Sequence, residues 1–229
     1  MSVEETDDLS PASDQILVSL RAAGVNPVDT YRRAGSQGYQ GTLPFTPGID
    51  GAGVVAAIGS AAFASDIHLE TRPALSVGDR VYVAGAVTGT AYRALFQRGE
   101  ARPGDWVVIH GATGGVGVAA IQLAREFGLR VIGTAGSAEG LALLGELGVD
   151  LALSHHDEER PGKIVEATGG RGAEVIVEML ANVNLERDMG MAAHGGRIVV
   201  VGSRGSIEVT PRQLMGREAD VRGLTLYSA

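Results

Sequence analysis

The sequence contains no cysteine among its 229 residues. The lack of thiols excludes disulfides, thiolate nucleophiles and zinc sites built from cysteine ligands. No apolar stretch approaches the ~20 residues that a membrane-spanning helix needs. No basic segment followed by an apolar run opens the chain. These absences predict a soluble, cytoplasmic protein that does not enter a membrane.

Positive charge is also in short supply. The chain has 19 lysines and arginines against 27 aspartates and glutamates, which leaves a net charge of -8. Because nucleic-acid binding needs a basic surface, this balance argues against nucleic acid as the main partner. It still leaves room for one basic pocket that binds a phosphate.

Glycine, by contrast, is abundant, with 34 residues of 229, roughly twice the usual ~7 %. The glycines stand between apolar segments and not in low-complexity tracts. This placement predicts tight turns and close backbone approaches within an ordered protein.

The first part of the chain, residues 1–89, is predicted to be a small β-rich domain. Turn signals such as Val77-Gly78 separate its apolar segments, and Asn26-Pro27 is predicted to open a loop. Short strands at this spacing are typical of a small barrel. The predicted strands cover residues 15–20, 48–59 and 79–83.

The second part, residues 90–229, alternates apolar strands with helices. This pattern predicts an α/β fold in which helices cover both faces of a parallel sheet. Six strands are the full count of a doubly wound dinucleotide-binding (Rossmann) sheet. The predicted strands cover residues 106–111, 129–134, 150–153, 173–178, 196–201 and 221–226, and the helices 116–127, 138–147, 162–167 and 184–193.

The turn after the first of these strands has the pattern of a phosphate-binding loop. Residues 110–117 read His-Gly-Ala-Thr-Gly-Gly-Val-Gly and lead from a strand into a helix. Gly111 permits a tight turn, Gly114 lets the backbone approach a pyrophosphate, and Gly117 permits close packing of the helix. The N–H groups and dipole of the helix N-terminus then face the phosphates.

The end of the second strand indicates which dinucleotide binds. NAD enzymes place an acidic residue there to hold the ribose 2′-hydroxyl. In this chain the end of the strand and the residues after it, 133–138, contain no acidic residue, and the first one is Glu139. Without that carboxylate a 2′-phosphate is not repelled. Ser137 could donate to the phosphate, and Arg130 is near in sequence. The pattern therefore favours NADPH over NADH.

Several segments together resemble the quinone oxidoreductase (zeta-crystallin) family of the zinc-free medium-chain dehydrogenases/reductases. The glycine turn and the helix after it carry the clearest match, and the segment from Glu178 to Leu185 points to the zeta-crystallin branch. The similar segments are residues 24–31, 47–54, 90–95, 111–125, 178–185 and 200–205.

The resemblance implies NADPH-dependent reduction of quinones or related electron-poor carbonyl or enone substrates. It also implies a GroES-like β domain beside the Rossmann domain, and a homo-oligomer paired through the cofactor domain. It implies no metal, because zinc-dependent relatives have a histidine ligand where this chain has Ile49.

The resemblance also assigns residues to the cofactor. Tyr31 would lie near the nicotinamide, and Gly136 and His155 would border the adenosine ribose and its 2′-phosphate. The pyrophosphate would be held by Thr113, Gly114, Gly115 and Val116, and the rest of the cofactor by Asn184, Val201, Gly202, Ser203, Arg204, Leu224, Thr225 and Leu226.

Three of these residues also have simpler interpretations. His155 could be an exposed loop histidine, Tyr31 a packing aromatic, and Arg204 a residue that caps its loop. Asp29 is expected to be solvated. No acid–base pair or nucleophile stands out, so the catalytic residues stay unassigned, with Tyr31, another hydroxyl or solvent as the proton donor.

The chain also departs from the family pattern. It begins late, it runs directly from Gly89 into Thr90 where relatives have a long segment, and it stops at Ala229. We therefore expect an incomplete barrel with unpaired strand edges and exposed apolar surface. The alternative to an active enzyme is a catalytically silent NADPH-binding or interaction module.

Overall fold

The computed structural model describes residues 8–35, 45–46, 48–62 and 75–225. The chain divides into two compact units, Met1–Ala86 and Val87–Ala229. The sequence instead placed a boundary between Gly89 and Thr90, which lies inside the first helix of the second unit, Val87–Tyr92.

The first unit contains a three-stranded antiparallel sheet. Its strands are β1 (Ile16–Ala23), β2 (Asp50–Ile58) and β3 (Arg80–Ala84), in the order β1-β2-β3. Among the described residues, β1 and β3 therefore each pair on one side only. Leu20 and Tyr82, both more than half exposed, leave apolar surface on this sheet.

Helix α1 (Pro27–Ala34) replaces the loop predicted at Asn26-Pro27. Asn26 and Asp29 form a capping box, in which the Asn26 N–H donates to Asp29 Oδ2 at 2.8 Å. Pro27 starts the helix, where its missing N–H costs nothing. Asp29 also accepts from the Gly48 N–H and is buried. The expectation that Asp29 is solvated was wrong.

The second unit is a doubly wound α/β domain. Its six parallel strands have the order β6-β5-β4-β7-β8-β9, which is 3-2-1-4-5-6 when they are counted along this unit. This order confirms the predicted Rossmann fold. The strands are β4 (Trp106–Ile109), β5 (Arg130–Ala135), β6 (Leu151–Ser154), β7 (Ala173–Glu178), β8 (Ala192–Val200) and β9 (Asp220–Gly223).

Helices connect these strands and cover both faces of the sheet. They are α2 (Val87–Tyr92), continued by a wider π-helical turn (Arg93–Arg98), then α3 (Gly115–Glu126), α4 (Ala138–Glu146), α5 (Arg160–Ala167), α6 (Ala181–Met191) and α7 (Pro211–Arg217). In the part of the chain that the structure describes, none of the helices is long and apolar enough to cross a bilayer.

The main differences from the sequence-based prediction lie at element ends. Strand β8 begins four residues before the predicted 196, α6 begins three residues before the predicted 184, and β9 ends at Gly223 rather than at 226. Helix α7 was not predicted. Such boundaries depend on packing and capping more than on the apolar pattern.

Alternate residues of the central strand enter two separate cores. Val107 and Ile109 pack with α3 on one face of the sheet. Trp106 and Val108 pack on the other face with residues of α5 and α6. Burial on both faces explains why the strand reads as an uninterrupted apolar run.

Candidate cofactor-binding site

The carboxyl ends of the six parallel strands form one edge of the sheet. Strands β4 and β7 are neighbours, and the chain leaves them toward opposite sides of the sheet, so they define the topological switch point. Open α/β sheets bind their ligands at this point. The loop that follows β4 is the glycine-rich turn.

The glycine-rich turn leads directly from β4 into the N-terminus of α3. Gly111 has a φ of 57°, a left-handed conformation that favours glycine. Gly114 is the N-cap of α3 and offers no side-chain cap. The first N–H groups of α3 therefore face outward without a capping side chain, as an anion site requires.

Two glycines of this turn differ in what surrounds them. A Cβ added to Gly117 would lie 2.6 Å from both the Cα and the carbonyl oxygen of Ala112, so the helix can approach the turn only with glycine here. A Cβ added to Gly114 would meet only the Gly111 carbonyl oxygen, at 3.3 Å. Gly114 is exposed, and its open side is available to a ligand.

The residues assigned to the cofactor by resemblance fall into three groups. Those of the second unit follow the carboxyl ends of its strands or lie in α6: Thr113, Gly114, Gly115 and Val116 after β4, Gly136 after β5, His155 after β6, Asn184 in α6, Val201, Gly202, Ser203 and Arg204 after β8, and Leu224 and Thr225 after β9. Tyr31 is half-buried in α1 of the first unit. Leu226 lies outside the described residues.

The ends of β5 and β6 bring Gly136 and His155 together. The His155 N–H donates to the Ala135 carbonyl at 2.9 Å. A Cβ on Gly136 would lie 3.2 Å from the His155 ring. Partial burial, followed by the charges of His110 and Arg160, lowers the pKa of His155. This ring is therefore neutral at pH 7 before any phosphate binds.

Ser137 begins α4 beside this pair. Its hydroxyl oxygen accepts from the Gly140 N–H at 3.1 Å, which makes it the N-cap. Hydrogen bonds from its own backbone N–H, and then from Ser137, lower the pKa of Glu139. At the carboxyl end of β5, residues Ala135 to Ser137 provide no acidic side chain.

Arg130 is not near the adenosine end of this site, so the suggestion from its sequence position was wrong. It starts β5, at the opposite end of the strand from Ala135. Its guanidinium lies 3.8 Å from the ring centre of Trp106, and its Nε is 3.6 Å from Asp150 Oδ1. Five residue steps of about 3.3 Å each along the strand separate Arg130 from Ala135 at the ligand edge.

The loop after β8 packs closely on the loop after β7. A Cβ on Gly202 would lie 2.5 Å from the Met179 carbonyl oxygen, so glycine permits this approach. Asn182 Oδ1 accepts from the Arg204 N–H at 2.8 Å. The Arg204 side chain stays exposed, as a phosphate contact requires.

A buried polar cluster lies at the same edge of the sheet. His110 Nε2 is 2.9 Å from Asp188 Oδ1 and 3.6 Å from Glu178 Oε2, and all three side chains are almost completely buried. The Arg160 guanidinium, 1 % exposed, donates to the His155 carbonyl at 2.7 Å. We call His110, Glu178, Asp188 and Arg160 the buried charge cluster.

Sequence reasoning missed this cluster. Glu178 ends an apolar strand, His110 follows another, and Asp188 lies 78 residues from His110 in the middle of α6. Ionisable residues are rarely fully buried unless they are paired. The signal available in the sequence was the placement of a histidine and a glutamate at the carboxyl ends of two largely apolar strands.

Burial dominates the titration of this cluster. It lowers the pKa of His110 to about 4. The charge of Glu178 acts to raise this pKa, and the charge of Arg160 acts to lower it further. Burial raises the pKa of Glu178 to about 7, assisted by the charge of Asp188. It also raises the pKa of Asp188 to about 7, while interactions with Glu178 and Arg160 act in the opposite direction.

The donor atoms of His110, Glu178 and Asp188 lie within 4.8 Å of one another, a spacing that a metal ion also requires. The charge of Arg160 acts on both carboxyl groups and takes the place of a cation beside them. We therefore interpret these groups as a charge-compensated cluster rather than as metal ligands.

Family models match both parts of the chain. The model described as "Alcohol dehydrogenase GroES-like domain" matches residues 12–140, and "Zinc-binding dehydrogenase" matches residues 115–229. The human quinone oxidoreductase is 40 % identical over 242 residues, which cover 96 % of this chain and 74 % of the relative. The chain belongs to the quinone oxidoreductase family. It is thus an oxidoreductase of the medium-chain dehydrogenase/reductase superfamily, as the sequence predicted.

Other relatives of this family extend the similarity. The quinone oxidoreductase of Sus scrofa is 41 % identical over 96 % of this chain and 74 % of its own length. Among solved structures, the mycobacterial protein Rv1454c complexed with NADPH has a TM-score of 0.75 and 26 % identity, covering 98 % of this chain and 77 % of that one. Family members bind a nicotinamide cofactor.

Proposed function

We propose that the protein uses NADPH to reduce quinones or related electron-poor carbonyl or enone substrates by hydride transfer. The open, uncapped N-terminus of α3 at the switch point of the sheet carries this proposal. The names of the relatives support the quinone as substrate, and the NADPH complex of a structural relative supports the cofactor.

The residues at the ligand edge fit a dinucleotide. Gly114, Gly115 and Val116 would hold the pyrophosphate on their backbone N–H groups, because no side chain stands in front of them. The nicotinamide supplies the hydride when bound. The loops after β7 and β8 would shape the remainder of the cleft and keep water from the reduced ring.

The adenosine end supports NADPH rather than NADH. The carboxyl end of β5 has no acid to bind a ribose 2′-hydroxyl and repel a 2′-phosphate. Ser137 and His155 would contact the 2′-phosphate, each as a neutral hydrogen-bond donor. Binding of the anion would favour protonation of His155.

The rest of the site assignment belongs to the same proposal. Tyr31 is the candidate proton donor, with solvent as the alternative. Zinc is not needed for this reaction, since the chain has no cysteine ligand and has Ile49 at the position of the histidine in zinc-dependent relatives. We also propose a homo-oligomer, whereas the GroES-like first part of the chain is already shown by the family model that matches residues 12–140.

Turnover with a test quinone is the direct experiment. We expect the purified chain to oxidise NADPH with 9,10-phenanthrenequinone, and NADPH to raise its melting temperature more than NADH does. At a hundredfold excess over Kd the ligand adds about 2.7 kcal/mol of stability. Gly114→Val, whose Cβ makes one tight contact, at 3.3 Å, with the Gly111 carbonyl oxygen and otherwise covers the phosphate site, should fold and lose both effects. Equal responses of the variant and the wild type would contradict the site.

A second candidate function, a silent cofactor-binding module, rests on the first unit. Its described sheet has three strands, with β1 and β3 as edges and apolar side chains such as Leu20 exposed. NADPH-dependent stabilisation without quinone reduction would favour this module over the enzyme.

Cofactor preference can be reversed at the N-cap of α4. Ser137→Asp keeps the capping oxygen but introduces the carboxylate that β5 lacks. We expect the Kd for NADPH to rise by at least about tenfold, or ~1.4 kcal/mol, while that for NADH changes little. Fluorescence titration with both cofactors measures this change.

Ser137→Asn is the matched control, because it also caps the helix and differs from aspartate only in charge. It should leave the NADPH preference of the wild type in place. If Ser137→Asn and Ser137→Asp bind NADPH equally, electrostatic repulsion at this position does not select the cofactor.

A further inference from the structure

The buried charge cluster connects most of the loops at the ligand edge. His110 directly precedes the glycine turn, and Glu178 directly precedes the loop after β7. Glu178 Oε1 accepts from the Leu180 N–H and, at 3.2 Å, from Asn184 Nδ2. Asn184 Oδ1 in turn accepts from Arg160, at 3.4 Å. Both ends of the Asn184 amide are therefore held by the cluster.

The loop after β6 is tied to the same cluster. Arg160 Nη1 donates to the His155 carbonyl at 2.7 Å. The glycine turn is tied through Thr134, whose Oγ1 accepts from the Gly111 N–H at 3.3 Å and lies 3.3 Å from His110 Nδ1. Three of the loops assigned to the cofactor thus depend on one buried group of side chains.

The hydrogen bonds of His110 define its tautomer. Thr134 Oγ1 already accepts from the Gly111 N–H, so its own proton is free to go to His110 Nδ1. Nε2 then carries the ring proton and donates to Asp188 Oδ1 at 2.9 Å. The ring is neutral, which agrees with its lowered pKa.

Two carboxylate oxygens remain without a donor. In the part of the chain that the structure describes, Glu178 Oε2 and Asp188 Oδ2 are buried and have no hydrogen-bond partner. Two ionised carboxylates this close together repel each other, and both are out of water. A single proton held by the pair removes the repulsion between two negative charges and gives one of these oxygens a hydrogen to donate.

The remaining charge of the pair is then balanced. With one proton on Glu178 and Asp188, the pair carries one negative charge, His110 carries none, and Arg160 carries one positive charge. The other charged groups that act on Arg160 are Arg187 of α6 and Asp157 of the loop before α5. His155 is the remaining titratable group that acts on the site, and it is neutral.

We propose that Glu178 and Asp188 are positioning residues for the cofactor site, which hold one proton between them and thereby fix the loop after β7 and Asn184. The claim that these residues affect NADPH binding rests on the proposed function, because that function assigns NADPH to this edge. The claim that they share one proton does not depend on it. The raised pKa values of both carboxyl groups, caused by burial, agree with a proton held near neutral pH.

Isosteric amides test the shared proton. In Glu178→Gln, the amide oxygen can keep the bonds to Leu180 and Asn184, while the amide N–H₂ faces the unpartnered oxygen of Asp188. Asp188→Asn makes the reciprocal exchange. Each single variant therefore imitates the protonated pair. In the double variant two N–H₂ groups face each other, and neither finds an acceptor.

We expect the wild type to lose affinity for NADPH by at least ~5-fold as the pH rises from 6 to 9, the lower end of coupling between linked sites. Each single variant should bind like the wild type at pH 6 and lose less affinity than the wild type by pH 9, because only His155 beside the 2′-phosphate still titrates there. The double variant should bind more weakly at both values. Glu166→Gln, an exposed change on α5, should follow the wild type.

Infrared spectra of the cofactor-free protein provide the independent measurement. The wild type should show the carbonyl band of a protonated carboxyl group near pH 7, and both single variants should lack it. Absence of the band in the wild type overturns the shared proton. Additive effects of the two amides on the Kd, or a pH dependence of the single variants as large as that of the wild type, overturn the positioning role. A wild type that shows the band but never binds NADPH refutes the proposed function together with the positioning role.

Discussion

Gly117→Ala is expected to destabilise the second unit by about 3 kcal/mol or more. The new Cβ would lie 2.6 Å from the Cα and the carbonyl oxygen of Ala112, and both are main-chain atoms that no rotamer change can move. Relief requires α3 to shift away from the glycine turn. The same shift would displace the N–H groups proposed to bind the pyrophosphate, so NADPH affinity should fall as well.

Gly145→Ala is the matched control for this substitution. Gly145 lies near the end of α4, it is exposed, and an added Cβ would meet nothing within 4 Å. Alanine favours a helix over glycine by about 0.5–1 kcal/mol, so this variant should gain stability. Urea unfolding of the cofactor-free chains measures both changes. A Gly117→Ala variant as stable as the wild type would mean that α3 does not approach Ala112 this closely.

Arg160→Met is the second substitution with a large expected effect. Its side chain is 1 % exposed and stands beside the buried carboxyl groups of Glu178 and Asp188. Removing this buried cation leaves the charge of the carboxyl pair uncompensated. The cost of breaking a direct buried ion pair, about 3–5 kcal/mol, is the upper limit for this change. The His155 carbonyl would lose a hydrogen bond at the same time.

The cost of Arg160→Met should depend on pH with a defined sign. Burial raises the pKa of Glu178 and of Asp188 to about 7, above their values in the unfolded chain. Both carboxyl groups are therefore largely protonated at pH 5.5. At this pH the loss of the Arg160 charge should lower the free energy of unfolding least. As the pH rises through 7 the pair ionises, and the free energy of unfolding of the variant should fall further below that of the wild type.

Unfolding curves at pH 5.5 and 8 measure this difference. Arg187→Met removes an exposed arginine from α6 and should change stability by less than about 0.5 kcal/mol at both values. An Arg160→Met variant whose destabilisation is the same at both pH values would show that the charge of Arg160 does not compensate the carboxyl pair.

The architecture of the second unit was predictable because its signals are local. Strands β4 and β7 are buried on both faces and so read as apolar runs, and turn glycines such as Gly111 mark where they end. The parallel order followed from the alternation of strands and helices. The phosphate turn was predictable for the same reason, since His110 to Gly117 is one continuous segment.

In the first unit, local helix capping explains why the segment predicted as a loop forms helix α1. Asn26-Pro27 is a turn signal, yet Asn26 and Asp29 form a capping box that starts α1. The sequence contains this signal, and Pro27 is compatible with it because the first position of a helix needs no N–H donor. Asp29 is buried, and its carboxylate accepts a hydrogen bond from the N–H of Gly48, 19 residues away.

By itself, then, the sequence determined the Rossmann fold, the position of the phosphate turn and membership of an oxidoreductase family. Tertiary structure alone decided which polar side chains meet. Arg130 is five residues from Ala135 along β5, but an extended strand places the two at opposite ends of the sheet. His110 and Asp188 are 78 residues apart, and they touch because α6 packs on the sheet beside β4. Apolar periodicity reports which face of an element is buried, whereas a contact between two ionisable groups depends on how separate elements pack.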